Sequence, residues 1–215
     1  MATTERIVKP DHASAIAELT QPGTKKFAVA KRLVQISEDQ PKLLVAHFAD
    51  FCRLLRTPNN IIRWSVIRIV ANLAAADCRL RLDRILDHYL SPIAGPARRG
   101  HDPNRRDSGS CPRTGNMITA VNTIQGAARI AQSRKRLAPR LIQAILQVER
   151  AHYETAECRN VAIGQAIKAL NTLGPSLRRK PEILAFVQRQ RKNPRLSTAK
   201  LAESFLRRAA STNDD

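Results

Sequence analysis

The chain has 215 residues, of which 43% are hydrophobic and 4% aromatic, and its 37 lysines and arginines outnumber its 18 aspartates and glutamates. This hydrophobic content supports a continuous core and excludes disorder of the chain as a whole. The net charge of +19 favours an anionic partner, whether nucleic acid, an acidic protein surface or anionic lipid. A general preference for arginine and for solubility is the simpler alternative. No stretch approaches eighteen uninterrupted apolar residues, so no membrane span is expected.

Residues 1–23 are expected to form an N-terminal segment with a short helix. Glu5, Lys9 and Asp11 interrupt the first residues, which lack the apolar core of a signal peptide, so we expect a cytoplasmic protein. The four cysteines are at least 26 residues apart, and we expect those in helical runs to act as small buried hydrophobes in a reducing compartment. Without a CxxC spacing, no metal site is predicted.

Residues 24–90 are predicted to form stacked helices. Pro41 stands where a helical first turn tolerates proline, and residues 57–60 form a turn followed by a helix cap. The segment 61–73 is apolar on most sides, which predicts a helix covered on both flanks. Trp64 within it is expected to be a core residue.

Residues 91–115 are predicted to be a flexible, basic loop rich in proline and glycine. These 25 residues contain four of the eight glycines and four of the twelve prolines, and few apolar side chains. The loop is either a functional insertion or a stretch translated in an altered reading frame.

Residues 116–210 are predicted to form a second, strongly basic set of helices. Gly174, followed by a proline, indicates a helix end with glycine in the left-handed conformation, and Pro181 suits a helical first turn. A last helix at about 195–208 closes the set, and residues 211–215 are expected to be a disordered tail.

An internal repeat is the strongest organisational feature. Residues 61, 67, 70 and 73 match residues 118, 124, 127 and 130, then 161, 167, 170 and 173, and in the other direction 24, 30, 33 and 36. The units are therefore 37, 57 and 43 residues apart, and two of the three spacings suit one helix pair. The loop accounts for the longest spacing.

Two segments, 62–74 and 158–170, share a further pattern: a polar or basic beginning, then small and branched apolar residues, then a leucine. On these segments the chain resembles bacterial HEAT-repeat proteins, including those with phycobilisome-lyase-type repeats. The resemblance covers roughly 24–210 without the loop. It implies an all-α, HEAT-like superhelix of about four helix pairs that acts as a scaffold and binds a protein partner on its concave face.

No motif for catalysis or for a cofactor is found, so we expect a non-enzymatic protein with no cofactor. Asp83 and Asp87 lie one helical turn apart and are expected on a solvated face. A HEAT-like alkylpurine DNA glycosylase, with aromatic, aspartate and arginine residues in a basic groove, is a remote alternative. Its candidate residues here are Trp64, Tyr89 and Tyr153, and no matching catalytic aspartate is present.

Basic clusters at three inter-helix turns are the candidate binding residues for an anionic partner. Residues 128–210 hold 18 basic and 5 acidic groups. Equivalent turns of a solenoid line up along one edge, so these clusters predict a ladder suited to a phosphate backbone, that is, to sequence-independent nucleic-acid binding, or to an acidic helix. Stabilisation of helix C-termini by nearby cations is the simpler alternative. The clusters comprise Arg134, Lys135, Arg136 and Arg140; Arg178, Arg179 and Lys180; and Arg189, Arg191, Lys192 and Arg195. The sequence does not define an oligomeric state.

Overall fold

The computed structural model describes residues 11–77, 81–95 and 116–211, which form an all-α array. No strand occurs in these three ranges, and short 3-10 turns connect some of the helices. The α-helices of the described residues are α1 (His12–Glu18), α2 (Lys25–Asp39), α3 (Pro41–Leu44), α4 (Phe48–Leu54), α5 (Asn60–Leu73), α6 (Arg81–Ala94), α7 (Met117–Ser133), α8 (Ala138–Leu146), α9 (Ala156–Asn171), α10 (Pro175–Arg178), α11 (Pro181–Gln190) and α12 (Leu196–Ser211).

The helices form two layers. Helices α2, α5, α7, α9 and α12 stack in this order as a long-helix layer, and α4, α6, α8 and α11 pack against it as a covering layer. Trp64 near the start of α5 contacts Thr119 near the start of α7, and Asn72 near the end of α5 contacts Arg129 near the end of α7. Neighbouring long helices are therefore parallel, as the internal repeat predicts. The all-α solenoid of about four repeats is confirmed.

Three of the units contain a third, shorter element. The helix α3, the 3-10 turn at 135–137 and the helix α10 each precede a covering helix and then a long helix. The sequence predicts helix pairs, and the structure adds this leading turn because Pro41 and Pro175 begin a separate helical turn of their own. Helical repeats of both two and three helices occur in solenoids.

Side-chain caps fix where the three central long helices begin. Asn59 accepts a hydrogen bond from Ile62 N (3.1 Å) before α5, and Asn116 accepts one from Thr119 N (2.9 Å) before α7. Thr155 does the same for α9 through Cys158 N (3.0 Å). Each cap satisfies an otherwise unpaired backbone donor. The caps of α5 and α7 thus lie at equivalent points of the repeat, whereas α9 begins about one helical turn earlier than the repeat predicts.

The core follows the predicted repeat at three of its four positions. Residues 67, 70 and 73 of α5 are buried, as are their counterparts in α7 and those in and directly after α9. The first position differs, since Ile61 is 50% exposed and Ile118 is 45% exposed. These two side chains do not contribute to the stacking in the way the sequence comparison suggests.

Two local predictions are corrected. Helix α6 continues to Ala94, so the predicted loop cannot begin at residue 91, and residues 96–115 lie outside the described residues. Proline has no N–H to donate to the carbonyl oxygen of His88, four residues earlier. Ser91 Oγ donates to this oxygen instead (2.9 Å), so the helix accommodates Pro92 in its last turn. Gly174 has φ −60° and caps α10 instead of adopting the left-handed conformation.

The terminal segments are described only in part. The short helix expected within residues 1–23 corresponds to α1, whose cap is Asp11. Residue 211 ends α12, and the rest of the predicted tail, 212–215, lies outside the described residues, as do residues 1–10. None of the helices described is both long and apolar enough to cross a bilayer.

Three acidic groups are held in the neutral form by the packing. Burial raises the pKa of the Cys52 thiol to about 11, and it also raises the pKa values of Tyr89 and Tyr153. The tyrosine hydroxyls donate to Ile67 O (3.1 Å) and Ile93 O (2.7 Å), respectively. Both tyrosines are therefore structural.

We expect the free energy of unfolding to fall as the pH rises above about 9. The unfolded chain restores the ordinary pKa values of these three groups, so it loses protons at lower pH than the folded chain and is favoured by alkali. Urea unfolding at about pH 8 and about pH 10.5 measures the loss. In Tyr89→Phe the loss should be smaller, and an unchanged pH dependence in that variant would contradict the explanation.

Candidate binding surface

One stripe of each long helix consists of exposed or half-buried residues, apart from the buried Asn72 of α5. Its residues recur at steps of four and three, which is the spacing of one helix face. Because the helices are parallel and in register, equivalent residues form rows that cross the array. We call these four rows the long-helix surface: first Ile61, Ile118, Val161 and Leu196; second Ala28, Ser65, Asn122, Gln165 and Lys200; third Lys31, Arg68, Gln125, Lys168 and Glu203; fourth Gln35, Asn72, Arg129, Thr172 and Arg207.

The first row is apolar and accessible to solvent. Leu196 is 67% exposed, Ile61 and Ile118 are about half exposed, and Val161 is half-buried. Isolated exposed hydrophobic residues are common on protein surfaces, but a row of them on successive units is typical of an interaction site. Among the described residues, the exposed large hydrophobic side chains are those of Ile61, Ile118 and Leu196 in this row, together with Leu43 of α3.

A polar network joins the first three long helices around Asn72, which is only 8% exposed. Asn72 donates to Ser37 Oγ of α2 (2.7 Å) and accepts a hydrogen bond from Arg129 of α7. Glu38 accepts from Arg68 (3.1 Å) and lies 3.7 Å from Arg129. Arg129 and Arg68 are thus held in fixed positions on the surface.

Trp64 lies between the first row and the core. It is half-buried, and its indole Nε1 donates to Thr119 Oγ1 (2.9 Å), which in turn donates to Asn116 Oδ1 (3.1 Å). The prediction that Trp64 is a core residue is therefore corrected: the side chain is only half-buried, and its N–H has a polar partner at the α7 cap.

The long-helix surface is positively charged. Its rows, together with Glu38, contain six cationic side chains and two carboxylates, all of them exposed. Lys31, Lys168 and Lys200 take part in no ion pair within the described part of the chain. An approaching partner therefore meets accessible cations beside the apolar row.

Three of the four residues in the first predicted basic cluster are engaged within the protein. Arg134 donates through Nε to Ala74 O (2.7 Å), and Arg136 and Arg140 form ion pairs with Asp83 and Asp87. The two aspartates expected on a solvated face thus connect α6 to α8. Solvent-exposed pairs of this kind contribute about 0–1 kcal/mol each, but they offset two of the four positive charges in the cluster.

Part of the other two clusters is engaged in the same way. Arg189 forms a two-pronged pair with Glu149 (2.9 and 2.7 Å), and this hydrogen bonding raises the pKa of Arg189. Arg195 pairs with Glu157, and Lys180 lies 3.8 Å from Glu182.

The remaining predicted residues differ in exposure. Lys135, Arg191 and Lys192 are exposed and form no ion pair among the described residues, whereas Arg178 and Arg179 are half-buried. None of the eleven predicted residues belongs to the long-helix surface, and Arg140, Arg178 and Arg189 lie within α8, α10 and α11 and not at turns.

Each candidate residue of the glycosylase alternative is hydrogen-bonded within the fold. Tyr89 and Tyr153 are buried with their hydroxyls bonded to backbone carbonyls, and Trp64 contacts Thr119. Within the described ranges, no three histidine, cysteine or carboxylate side chains are placed to hold a metal ion. Cys52 and Cys158 are half-buried free thiols.

Comparison with known proteins supports the fold. No protein-family model and no curated protein matches the sequence. Among solved structures, the chain is similar to a designed armadillo repeat protein in complex with the peptide (KR)4, with 13% identity and a TM-score of 0.55, over 91% of this chain and 80% of that chain. A second designed armadillo repeat protein aligns at 14% identity and a TM-score of 0.34, over 91% of this chain and 98% of that chain.

The first likeness defines the class: the chain is an all-α helical repeat solenoid of about four repeats, with armadillo-like architecture. This agrees with the leading short helices of three units, since armadillo units have more than two helices. The closer resemblance to bacterial, phycobilisome-lyase-type HEAT proteins stays a prediction.

Proposed function

We propose that this protein is a non-enzymatic scaffold that binds an extended, acidic segment of a protein partner on its concave face, and that the long-helix surface is that face. The apolar first row carries the proposal, because its four side chains sit at the same place on successive units. Solenoids present extended binding surfaces of this kind.

Charge supports an acidic partner. The armadillo protein of similar fold is in complex with a basic peptide, (KR)4, whereas the surface of this chain is itself basic. Complementary charge steers association and suppresses partners of the same sign. Arg68 and Arg129 support the same reading, because hydrogen bonds to Glu38 and Asn72 hold them in place and reduce the entropy lost on binding.

The distance between neighbouring long helices determines the sequence period expected in the partner. Packed helices lie about 8–10 Å apart, and an extended chain advances about 3.3 Å per residue. An extended segment therefore advances roughly two to three residues per long helix. A partner with an apolar side chain at about every third position and carboxylates between them matches both the first row and the cations beside it.

The peptide (Leu-Glu-Glu)4 is a direct probe. We expect fluorescence anisotropy to show saturable binding of this peptide, and an affinity about tenfold lower in the double variant Ile61→Ser, Ile118→Ser. Both side chains are exposed, so the melting temperature should stay nearly unchanged.

Leu43→Ser is the matched control, because Leu43 is comparably exposed but lies on α3, outside the long-helix surface. An equal loss in the control, or equal binding of (KR)4, would contradict the proposal. Random duplex DNA is the third ligand. Tight binding of DNA with a steep loss between low and physiological salt would instead favour the nucleic-acid alternative.

A further inference from the structure

A small cavity of about 220 Å³ opens between the end of α4, the beginning of α5 and the second half of α6. No carboxylate among the described residues lines it. Its lining combines three basic side chains with an apolar wall: Arg56, Arg63 and His88, together with Leu55, Ile67 and Pro92. None of these residues belongs to the long-helix surface.

The position of Arg63 is fixed by the turn before α5. Its Nε and one terminal nitrogen donate to Thr57 O, at 3.0 and 2.5 Å. The remaining terminal nitrogen is not used in these bonds. On the other side, Ser91 Oγ donates to the backbone carbonyl oxygen of His88, which fixes the backbone there and not the imidazole. Of the three basic side chains, Arg63 is thus placed before any ligand arrives, which reduces the cost of binding.

The local charge is not balanced within the protein. Partial burial lowers the pKa of His88, and the charges of Arg56 and Arg63 lower it further. The neighbouring carboxylate of Asp87 pairs with Arg140 of α8. Grouped cations without a counter-charge are costly, and a bound anion removes this cost.

We propose that this cavity binds the phosphate group of a small molecule, with Arg56, Arg63 and His88 donating hydrogen bonds to its oxygens. Arginine suits this role because its planar guanidinium matches the oxygens of phosphate. The apolar wall then faces whatever organic part the phosphate carries. This site is independent of the scaffold function proposed for the long-helix surface.

The test follows the imidazole Cε1 proton of His88 by NMR across a pH titration, with the resonance assigned by its loss in His88→Gln. Probes are inorganic phosphate, sulfate, which stays a dianion throughout, and phenyl phosphate, each against chloride at equal ionic strength. We expect phosphate and sulfate to raise the pKa of His88 in a saturable manner. Absence of a saturable rise, or an equal rise with chloride, overturns the proposal.

Two variants distinguish phosphate binding in the cavity from a general effect of positive charge on the protein. Arg56→Gln should weaken phosphate binding about tenfold or more, whereas Arg84→Gln, on the same helix as His88 but outside the lining, should leave it within about twofold. Both arginines are exposed, and circular dichroism checks that both variants fold. Unchanged binding in Arg56→Gln overturns the proposal. Tighter binding of phenyl phosphate supports a phosphate ester as ligand, and equal binding supports free phosphate.

Discussion

Replacing Gly126 by alanine is expected to lower the free energy of unfolding by about 1–3 kcal/mol, through overpacking at a junction of three helices. A β-carbon on Gly126 of α7 would lie 3.2 Å from Cβ of Ala71 and 3.3 Å from Cζ of Tyr89, and still closer to the tyrosine hydroxyl. Tyr89 is buried and its hydroxyl is bonded to Ile67 O, so it cannot move away without losing that bond.

Tyr89→Phe should partly rescue this defect, because it removes the oxygen that the new methyl group meets. A double-mutant cycle by urea unfolding measures the effect: the coupling between the two substitutions should be favourable and exceed about 0.5 kcal/mol. Simple additivity would show that the close approach of Gly126 to Tyr89 is not what limits this position.

Leu170→Ala is expected to cost about 2–5 kcal/mol, as for a buried leucine whose cavity cannot collapse. Leu170 is fully buried in α9, a long helix that packs against α7 on one side and α12 on the other. Thermal and urea unfolding both report the loss.

Leu196→Ala is the matched control, since the same substitution removes a side chain that is 67% exposed. Its effect on stability should lie within about 0.5 kcal/mol. If Leu170→Ala were as mild as this control, the register assigned to α9 would be wrong. A large loss of stability in both variants would show that the Leu196 side chain is also packed.

Much of the fold is predictable from periodicity. The offset of 57 residues between α5 and α7 is present in the sequence and reappears as the contact between Asn72 and Arg129. Proline and asparagine mark the helix starts because their effects on the backbone are local. Gly174 shows the limit of such rules, because the following proline starts a new helical turn and places the glycine before it.

The candidate surface is not predictable in the same way. Ile61 and Ile67 are equally apolar and lie about 120° apart around the helix, and the packing of neighbouring helices covers the face of the second and not that of the first. The charge pattern misleads for a similar reason. Arg136 and Arg140 form a basic cluster along the chain, but their partners Asp83 and Asp87 lie more than fifty residues away.

The position of Glu38 affects how the helical array unfolds locally. In a stack whose units touch only their neighbours, each end can fray independently. Glu38 reaches past α5 to Arg129 of α7, so separation of α2 also disturbs a helix two places along the stack. The terminal α12 packs mainly on α9 and α11 and has no comparable link described. We therefore expect this exposed pair, which contributes about 0–1 kcal/mol, to bias opening of the array towards its C-terminal end.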